Sequence, residues 1–454
     1  MLQAVVLHGD TKSPSFARRD SLNLDELVTW HRIPECSNYA MATDKIVNER
    51  VDLIFDRPDA LPGWRLVVTS AEQSPFLDAH LAVRHTSFDG ESRKVFHRTL
   101  LDHLNHSLKD DQLSPLFSNG HTLVYPTDGP AFPPPMEEFG DFKIDLGYVL
   151  STAWKELKPA CMQKPTATQT SWGPFKPNDY GTERKIVRVD AVNSRKIVDV
   201  CRSHKTTITG LLHGIIFASL LWECKSVVES PSFVASSAVN LRRFMPNKPR
   251  TMPDVEMDPR KTIVNMLSTV DHEWDEVAVM KLLQLSRPLD EIAEDCRHYE
   301  DIVWAVAKSA RGDIEKKLDA GLENDVMKLM WLAPDWRSEK KRSCKKARVE
   351  SWCVTNLGVF DGKRAATESS GKANDSWEID HAVFTAVVDA ARSLFMVSAA
   401  SVKDGDLCIG VAWQSGLGEY IDKVGDRLTR DMHSWTNHLA TGAWEDNWEQ
   451  RAFA

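Results

Sequence analysis

The sequence lacks paired cysteines. Its eight cysteines are scattered over 454 residues, with no Cys-x-x-Cys pair and no repeated spacing. This distribution argues against a disulfide framework of the kind that stabilises small secreted domains. We therefore expect reduced thiols, most of which fill space in the protein interior.

A surplus of positive charge is also missing. The chain carries 56 Lys and Arg residues against 65 Asp and Glu residues, which gives a net charge of −9, so its composition does not favour a nucleic-acid partner. The first ten residues contain no basic stretch and no apolar run long enough for a signal peptide or a membrane span. We expect a soluble, cytoplasmic monomer that binds neither nucleic acid nor a membrane.

The composition is that of a globular protein, with 42% apolar and 27% charged residues. A chain of this length exceeds what one hydrophobic core commonly holds, so we expect two lobes. Prolines recur over residues 114–177 and predict a long connection, with one helix near residues 147–157. The predicted lobes are residues 1–170 and 171–454.

A strand followed by a helix surrounds His85. Apolar and polar residues alternate over residues 77–85, which predicts a strand with one buried face that ends at His85. Beyond Asp89 and Gly90, apolar residues recur every fourth position from Phe96 to Leu108 and predict an amphipathic helix. His85 is therefore expected at a strand-to-helix junction.

Further elements are predicted in the second half of the chain. Strands are expected at 183–189, 233–241, 394–400 and 407–413, helices at 190–203, 208–220 and 292–318, and a strand followed by a turn at 352–358.

The pattern His85-x-x-x-Asp89-Gly90 suits general base catalysis. A histidine with a pKa near 6.5 can accept a proton from an attacking hydroxyl or amine at neutral pH. Asp89 is expected to hold the loop through an arginine, and Gly90 to let the chain turn without a Cβ clash. The alternative for His85 is a purely structural role, as a strand-end histidine whose ring nitrogens form hydrogen bonds with backbone groups.

A metal site is the alternative use of nearby histidines. His103 and His106 lie one helical turn apart, and His97 lies about two turns away. No thiolate or better-spaced histidine joins them. We therefore interpret all three as surface residues of a solvated helix and expect no metal.

The three segments that carry chemistry resemble those of one enzyme group. His85-x-x-x-Asp89-Gly90, followed by Ser92, resembles the active-site segment of the coenzyme A-dependent acyltransferase superfamily, which includes chloramphenicol acetyltransferase, alcohol acetyltransferases and peptide-synthetase condensation domains. Residues 240–242, Asn-Leu-Arg, are similar to the family's Asn-x-Arg strand end. Residues 355–358, Thr-Asn-Leu-Gly, are similar to the Ser-Asn-Leu-Gly turn of its second lobe.

The resemblance implies an α/β fold of two chloramphenicol acetyltransferase-like lobes. Each lobe has a mixed sheet with flanking helices, and an active-site tunnel between the lobes admits donor and acceptor to His85. Arg242 is expected to pair with Asp89. Thr355 and Asn356 are candidate acyl- or substrate-binding residues, although Asn356 could equally stabilise a turn. The basic run 337–348 could hold coenzyme A phosphates or form a solvated loop.

The implied activity is transfer of an acyl group, most simply acetyl, from coenzyme A to a hydroxyl of a small secondary metabolite, or to an amine. His85 acts as base without a covalent intermediate, and acyl-CoA is a co-substrate, with no bound cofactor. Arg84 stands where condensation domains carry a second histidine, and the plant Asp-Phe-Gly-Trp-Gly segment is absent. The chain therefore looks most like the stand-alone fungal alcohol and trichothecene O-acetyltransferases. Two alternatives are a condensation or cyclisation enzyme for a carrier-bound chain and a non-catalytic binding protein of the same fold.

Overall fold

A computed structural model describes residues 1–444 except for 35–38, 52–54, 73, 107–116, 126–128, 130, 158–180, 225–230, 286–298, 333–334, 345–347, 349, 364–375 and 390–391. The strands are β1 Ala4–Leu7, β2 Ser15–Arg18, β3 Ser21–Asn23, β4 Val28–Ile33, β5 Trp64–Ala71, β6 Asp78–Val83, β7 Phe117–Ser118, β8 Thr122–Val124, β9 Thr182–Val189, β10 Phe233–Asn240, β11 Leu267–Trp274, β12 Glu350–Phe360, β13 Ser393–Val402 and β14 Leu407–Gln414. The α-helices are α1 Tyr39–Val51, α2 Gly90–Asn105, α3 Met136–Phe139, α4 Leu146–Leu157, α5 Ala191–Ser203, α6 Ile208–Cys224, α7 Glu276–Leu283, α8 Glu300–Ala320, α9 Trp336–Ser343 and α10 Glu419–Thr441.

The strands of the first half form small sheets. In the three-stranded sheet of order β4-β5-β6, β4 and β5 are parallel, and β5 and β6 are antiparallel. Leu66, Val68 and Phe88 belong to the apolar cluster that packs there, together with Trp64. A second three-stranded sheet has the order β3-β8-β7, and β1 pairs with β2.

A six-stranded mixed sheet dominates the second half, with the order β11-β10-β12-β13-β14-β9. The pairs β10–β12 and β12–β13 are parallel, and the other neighbours are antiparallel. Helix α6 is almost wholly apolar and lies inside the largest core cluster. It packs against α8 and α10, because a helix that is apolar on all sides must be covered on all sides.

Tryptophan fills much of this core. Trp352, Trp413 and Trp435 are fully buried, and Trp274 stacks on Trp352 with ring centroids 5.7 Å apart. These three side chains fill core volume, whereas Trp30, Trp154 and Trp336 are exposed.

Most predicted elements of the second half are present, with boundaries shifted by a few residues. Helix α8 begins at Glu300, whereas a start at 292 was predicted, and residues 292–298 lie outside the described part. The turn predicted at the end of residues 352–358 is wrong. Strand β12 continues to Phe360, and its register against β13 shifts between Asn356 and Val359, so the Asn-Leu-Gly segment forms a bulge.

The lobe boundary stays a prediction. Residue 170 falls within 158–180, outside the described residues. Among the described residues no single helix is long and apolar enough to cross a membrane. Helices α5 and α6 together have sufficient length and apolar character, but the pair is bent by 87° at the break between them.

Candidate active site

His85 lies in the turn that follows β6. The strand ends at Val83, two residues earlier than predicted, and the next N–H, that of Arg84, donates to the carbonyl of Gly63 over 2.7 Å. The histidine side chain is exposed to a cavity of about 2320 Å³. Residues from both halves of the chain line this cavity, among them Leu81, His97, Leu357 and Phe384.

The surroundings of His85 keep its imidazole neutral. The ring is open to the cavity, but the protein atoms packed around it disfavour its charged form and lower its pKa below the ordinary value, and the nearby cation of Arg93 lowers it further. The residue's own backbone carbonyl and the carboxylate of Asp89 act in the opposite direction but do not outweigh the first two causes. At neutral pH the ring therefore has a free nitrogen that can accept a proton.

Asn265 contacts His85 from the other half of the chain. Its Nδ2 donates to the His85 carbonyl over 2.8 Å and lies 3.3 Å from the ring Nδ1. This contact joins residues 180 positions apart. No pattern in the sequence around Asn265 predicted it. The asparagine fixes the backbone from which the imidazole projects.

Asp89 is the N-cap of α2 and is almost fully buried. It accepts hydrogen bonds from the backbone N–H of Ser92 over 2.8 Å, from the Ser92 hydroxyl over 2.9 Å and from the N–H of Met266 over 2.9 Å. Burial opposes ionisation, but the ion pair with Arg242 and these donors outweigh it and lower the pKa of Asp89. Asp89 therefore remains a carboxylate and serves as an anchor for the loop.

Arg242 lies against Asp89 in a buried ion pair, with both side chains at most 3% exposed. Its Nε donates to the Pro259 carbonyl over 2.9 Å, and its Nη2 donates to the Val264 carbonyl over 2.7 Å and to the Ser92 hydroxyl over 3.1 Å. The guanidinium therefore joins the start of α2 to the segment that carries Asn265. The single hydrogen of the Ser92 hydroxyl is shared between Asp89 and the Val264 carbonyl, which lies 2.8 Å away, and the hydroxyl oxygen accepts from the Val264 N–H over 3.1 Å.

Gly90 lies in a close approach. A Cβ atom at this position would lie 2.2 Å from Cδ2 of Leu357, a side-chain end that would have to move aside. The predicted Cβ clash is therefore present, whereas Gly90 itself is the first residue of α2 and is not among the glycines with positive φ. The Leu357 carbonyl also accepts a hydrogen bond from Lys94 over 3.1 Å, so α2 and the bulge of β12 are packed together.

Thr355 and Asn356 are engaged within the second half. Thr355 is in register with Ser398 of β13. The Asn356 amide donates to the Thr209 hydroxyl over 3.1 Å and accepts from the N–H of Gly358 over 2.7 Å, which supports the bulge at Gly358, where φ is +65°. Leu357 and Gly358 line the cavity, whereas Thr355 and Asn356 do not. Their substrate role stays a prediction.

The three helical histidines separate into two environments. His103 and His106 are exposed, as predicted. His97 is wrongly predicted as a surface residue, because it lines the cavity and burial lowers its pKa to about 4. Within the described residues no group of three or more His, Cys, Asp or Glu side chains could hold a metal ion.

The basic run 337–348 is only partly described. Its first half belongs to helix α9. A solvated loop was the predicted alternative to phosphate binding, and this half of the run is helical instead. Lys340 pairs with Asp389, and Arg342 pairs with Glu339. Arg348 is buried and donates to the Ser393 carbonyl over 2.9 Å. A role in binding coenzyme A phosphates stays a prediction.

Comparisons with known proteins agree with this architecture. The structure superimposes on the TRI3 trichothecene 15-O-acetyltransferase from Fusarium sporotrichioides with a TM-score of 0.60 at 12% identity, covering 94% of this chain and 82% of that one. It also superimposes on the epimerization domain from the third module of tyrocidine synthetase B, with a TM-score of 0.51 at 14% identity, covering 97% and 86%. These similarities confirm the predicted α/β fold of the chloramphenicol acetyltransferase-like enzymes and condensation domains.

The family follows from sequence comparison. A family model for alcohol acetyltransferases matches residues 41–301. The chain is 26% identical over 437 residues to the probable alcohol acetyltransferase FCK4 of Fusarium pseudograminearum, covering 95% of this chain and 81% of that protein. The chain belongs to the alcohol acetyltransferase family, which confirms the predicted resemblance and supports acyltransferase activity.

Proposed function

We propose that the protein transfers an acetyl group from coenzyme A to a hydroxyl of a small secondary metabolite, with His85 as the general base. The observation that carries this proposal is the neutral imidazole of His85, exposed in a cavity lined by both halves of the chain. Membership of the alcohol acetyltransferase family supports both the acetyl group and the alcohol acceptor. The trichothecene 15-O-acetyltransferase with the same fold further supports an oxygen acceptor.

The mechanism requires one tautomer of His85. With the hydrogen on Nδ1, this nitrogen donates to the residue's own carbonyl and Nε2 keeps the free lone pair. In the other tautomer Nδ1 accepts from the Asn265 amide and Nε2 carries the hydrogen. The proposed base is the first tautomer, in which Nε2 takes the proton of the acceptor.

The reaction is a direct transfer. The acceptor oxygen loses its proton to Nε2 of His85 while it attacks the thioester carbonyl. The tetrahedral intermediate collapses with cleavage of the C–S bond, and the imidazolium returns the proton to the thiolate. The general base contributes about 10²–10⁴ in rate, and placing the two substrates side by side contributes about 7–11 kcal/mol.

The thiols of the described residues support a mechanism without an acyl-enzyme. No cysteine lies among the described residues that line the cavity. Burial raises the pKa of Cys353 and Cys408 to about 12, so these thiols are not ionised nucleophiles at neutral pH.

The test is His85→Ala, assayed with acetyl-CoA and a pool of alcohols by mass spectrometry of the products. We expect normal folding and a loss of transfer by two to four orders of magnitude, about 10²–10⁴. His103→Ala is the matched control, because His103 is exposed on α2 and does not line the cavity. Retained turnover in His85→Ala would refute the assignment.

The choice of donor separates the remaining alternatives. A condensation or cyclisation enzyme would use an acyl group on a carrier protein and not acetyl-CoA. Arg84, at the position of the second histidine, donates to the Phe55 carbonyl over 2.7 Å and packs over the Phe55 ring. A binding protein without catalytic activity would bind acetyl-CoA in a calorimetric titration but form no acetylated product.

A further inference from the structure

Arg93 is a cation in the reaction cavity, and the mechanism above assigns it no contact with either substrate. It lies in the first turn of α2 and lines the same cavity as His85. Its guanidinium carbon is 5.2 Å from the centroid of the Phe384 ring. Within the described part of the chain it forms no ion pair and no hydrogen bond.

The acidic groups near Arg93 already have other partners. Asp89 is held by Arg242 and by the donors at the start of α2. Glu91 pairs with Lys94 over 3.2 Å. The beginning of α2 therefore carries one positive charge in excess, and that charge belongs to Arg93.

This charge is available to a ligand. Burial lowers the pKa of Arg93 to about 10, although the charge of Asp89 acts in the opposite direction, so the guanidinium stays protonated at neutral pH. The side chain is partly exposed and lines the cavity. A ligand that brings a negative charge would find free N–H donors there.

The position of Arg93 limits which part of a ligand it can meet. Its charge lowers the pKa of His85, so it acts close to the point of acyl transfer. The phosphates of coenzyme A are separated from the thioester by the long pantetheine arm. A group beside His85 meets the acceptor instead.

We propose that Arg93 binds a carboxylate of the acyl acceptor, so that the preferred substrate is a hydroxy acid. This inference rests on the proposed function. A carboxylate matches the paired N–H donors of a guanidinium, with which it forms bidentate hydrogen bonds. Lysine would keep the charge but lose this fork of donors, so Arg93→Lys should retain only part of the preference.

The experiment compares hydroxy acids with their neutral esters. Mandelate and ω-hydroxydecanoate are each paired with the methyl ester, and kcat and KM for acetyl transfer are measured together with binding by calorimetry. We expect the original protein to prefer each acid at least tenfold. In Arg93→Gln the preference should fall to about one, mainly through KM. The acid-to-ester ratio is compared within each variant, so that a change in the base strength of His85, which Arg93 also affects, cancels.

Arg98→Gln is the matched control. Arg98 lies on the same helix and stacks on Phe360 at 5.7 Å, but it is exposed and does not line the cavity. The proposal is overturned when the original protein does not distinguish acid from ester in binding or turnover. It is also overturned when Arg93→Gln leaves the acid-to-ester ratio of kcat/KM unchanged, because an oxyanion or structural role would act on every acceptor alike. Binding that distinguishes acid from ester, without any acetyl transfer, would refute the proposed function and leave this inference standing.

Discussion

Replacement of Arg242 by alanine removes the cation that faces Asp89 and, with it, the donors to three backbone carbonyls, those of Pro259, Thr262 and Val264. Asp89 would remain almost fully buried, although the Ser92 and Met266 donors would still contact it. The carbonyls of Pro259 and Val264 would lose Nε and Nη2 as partners. The substitution therefore leaves the Asp89 carboxylate buried with only part of its hydrogen-bond donors, and it removes donors from the backbone carbonyls nearby.

The magnitude follows from these groups. Breaking a buried ion pair by removing one partner costs about 3–5 kcal/mol. The donors that remain on Asp89 reduce this cost, and the carbonyls that lose a partner add to it, at about 1 kcal/mol each. We expect a loss of about 4 kcal/mol, which corresponds to a fall in Tm of roughly 4 °C, at about 1 °C per kcal/mol for a 454-residue chain that unfolds as one unit.

The assay is thermal unfolding together with acetyl transfer. Arg243→Ala is the matched control, since Arg243 is the next residue and is exposed. The double variant Asp89→Asn with Arg242→Ala leaves no unpaired carboxylate, so it should melt at a higher temperature than Arg242→Ala alone. An unchanged Tm in Arg242→Ala, or a double variant less stable than the single one, would refute the reasoning.

Three further predictions concern other parts of the structure. Burial lowers the folded-state pKa of His213 and His272 below 6.5, so the unfolded chain binds more protons in acid and Tm should fall as the pH drops below about 6.5; a constant Tm from about pH 7 to pH 5 would contradict this. Gly90→Ala should lower Tm, and Leu357→Ala in the same chain should recover part of the loss, because Leu357 occupies the space of the new methyl group; strictly additive losses would exclude this contact. Asn265→Ala should lower kcat about three- to tenfold with little change in KM, because one hydrogen bond of about 0.5–1.5 kcal/mol that positions His85 is lost; equal kcat values would show that the contact does not matter for the reaction.

Local patterns were sufficient where a single element decides the outcome. The alternation over residues 77–85 predicted β6 because one strand with one buried face produces it. The last two residues were assigned wrongly because β5, the partner of β6, begins at Trp64 opposite Val83, and the sequence around His85 does not indicate where that partner begins. Asn-Leu-Gly at residues 356–358 has turn composition, but the neighbouring β13 continues the pairing and converts the turn into a bulge.

Contacts between distant segments could not be read from the sequence. Asn265 and Arg93 are ordinary polar residues in their local context, and only the folded chain brings Asn265 to His85 or places Arg93 in the cavity. His97 shows the same limit, since helical periodicity does not tell a solvated face from one that borders an internal cavity.

The anchor of Asp89 has a consequence for the growing chain. Its cationic partner, Arg242, follows it by 153 residues, and Asn265 follows His85 by 180. During synthesis the proposed base therefore emerges long before the residues that position it. A ribosome-bound N-terminal half cannot align the imidazole, so acyl transfer should begin only after residues 242–266 have been made and have folded against α2.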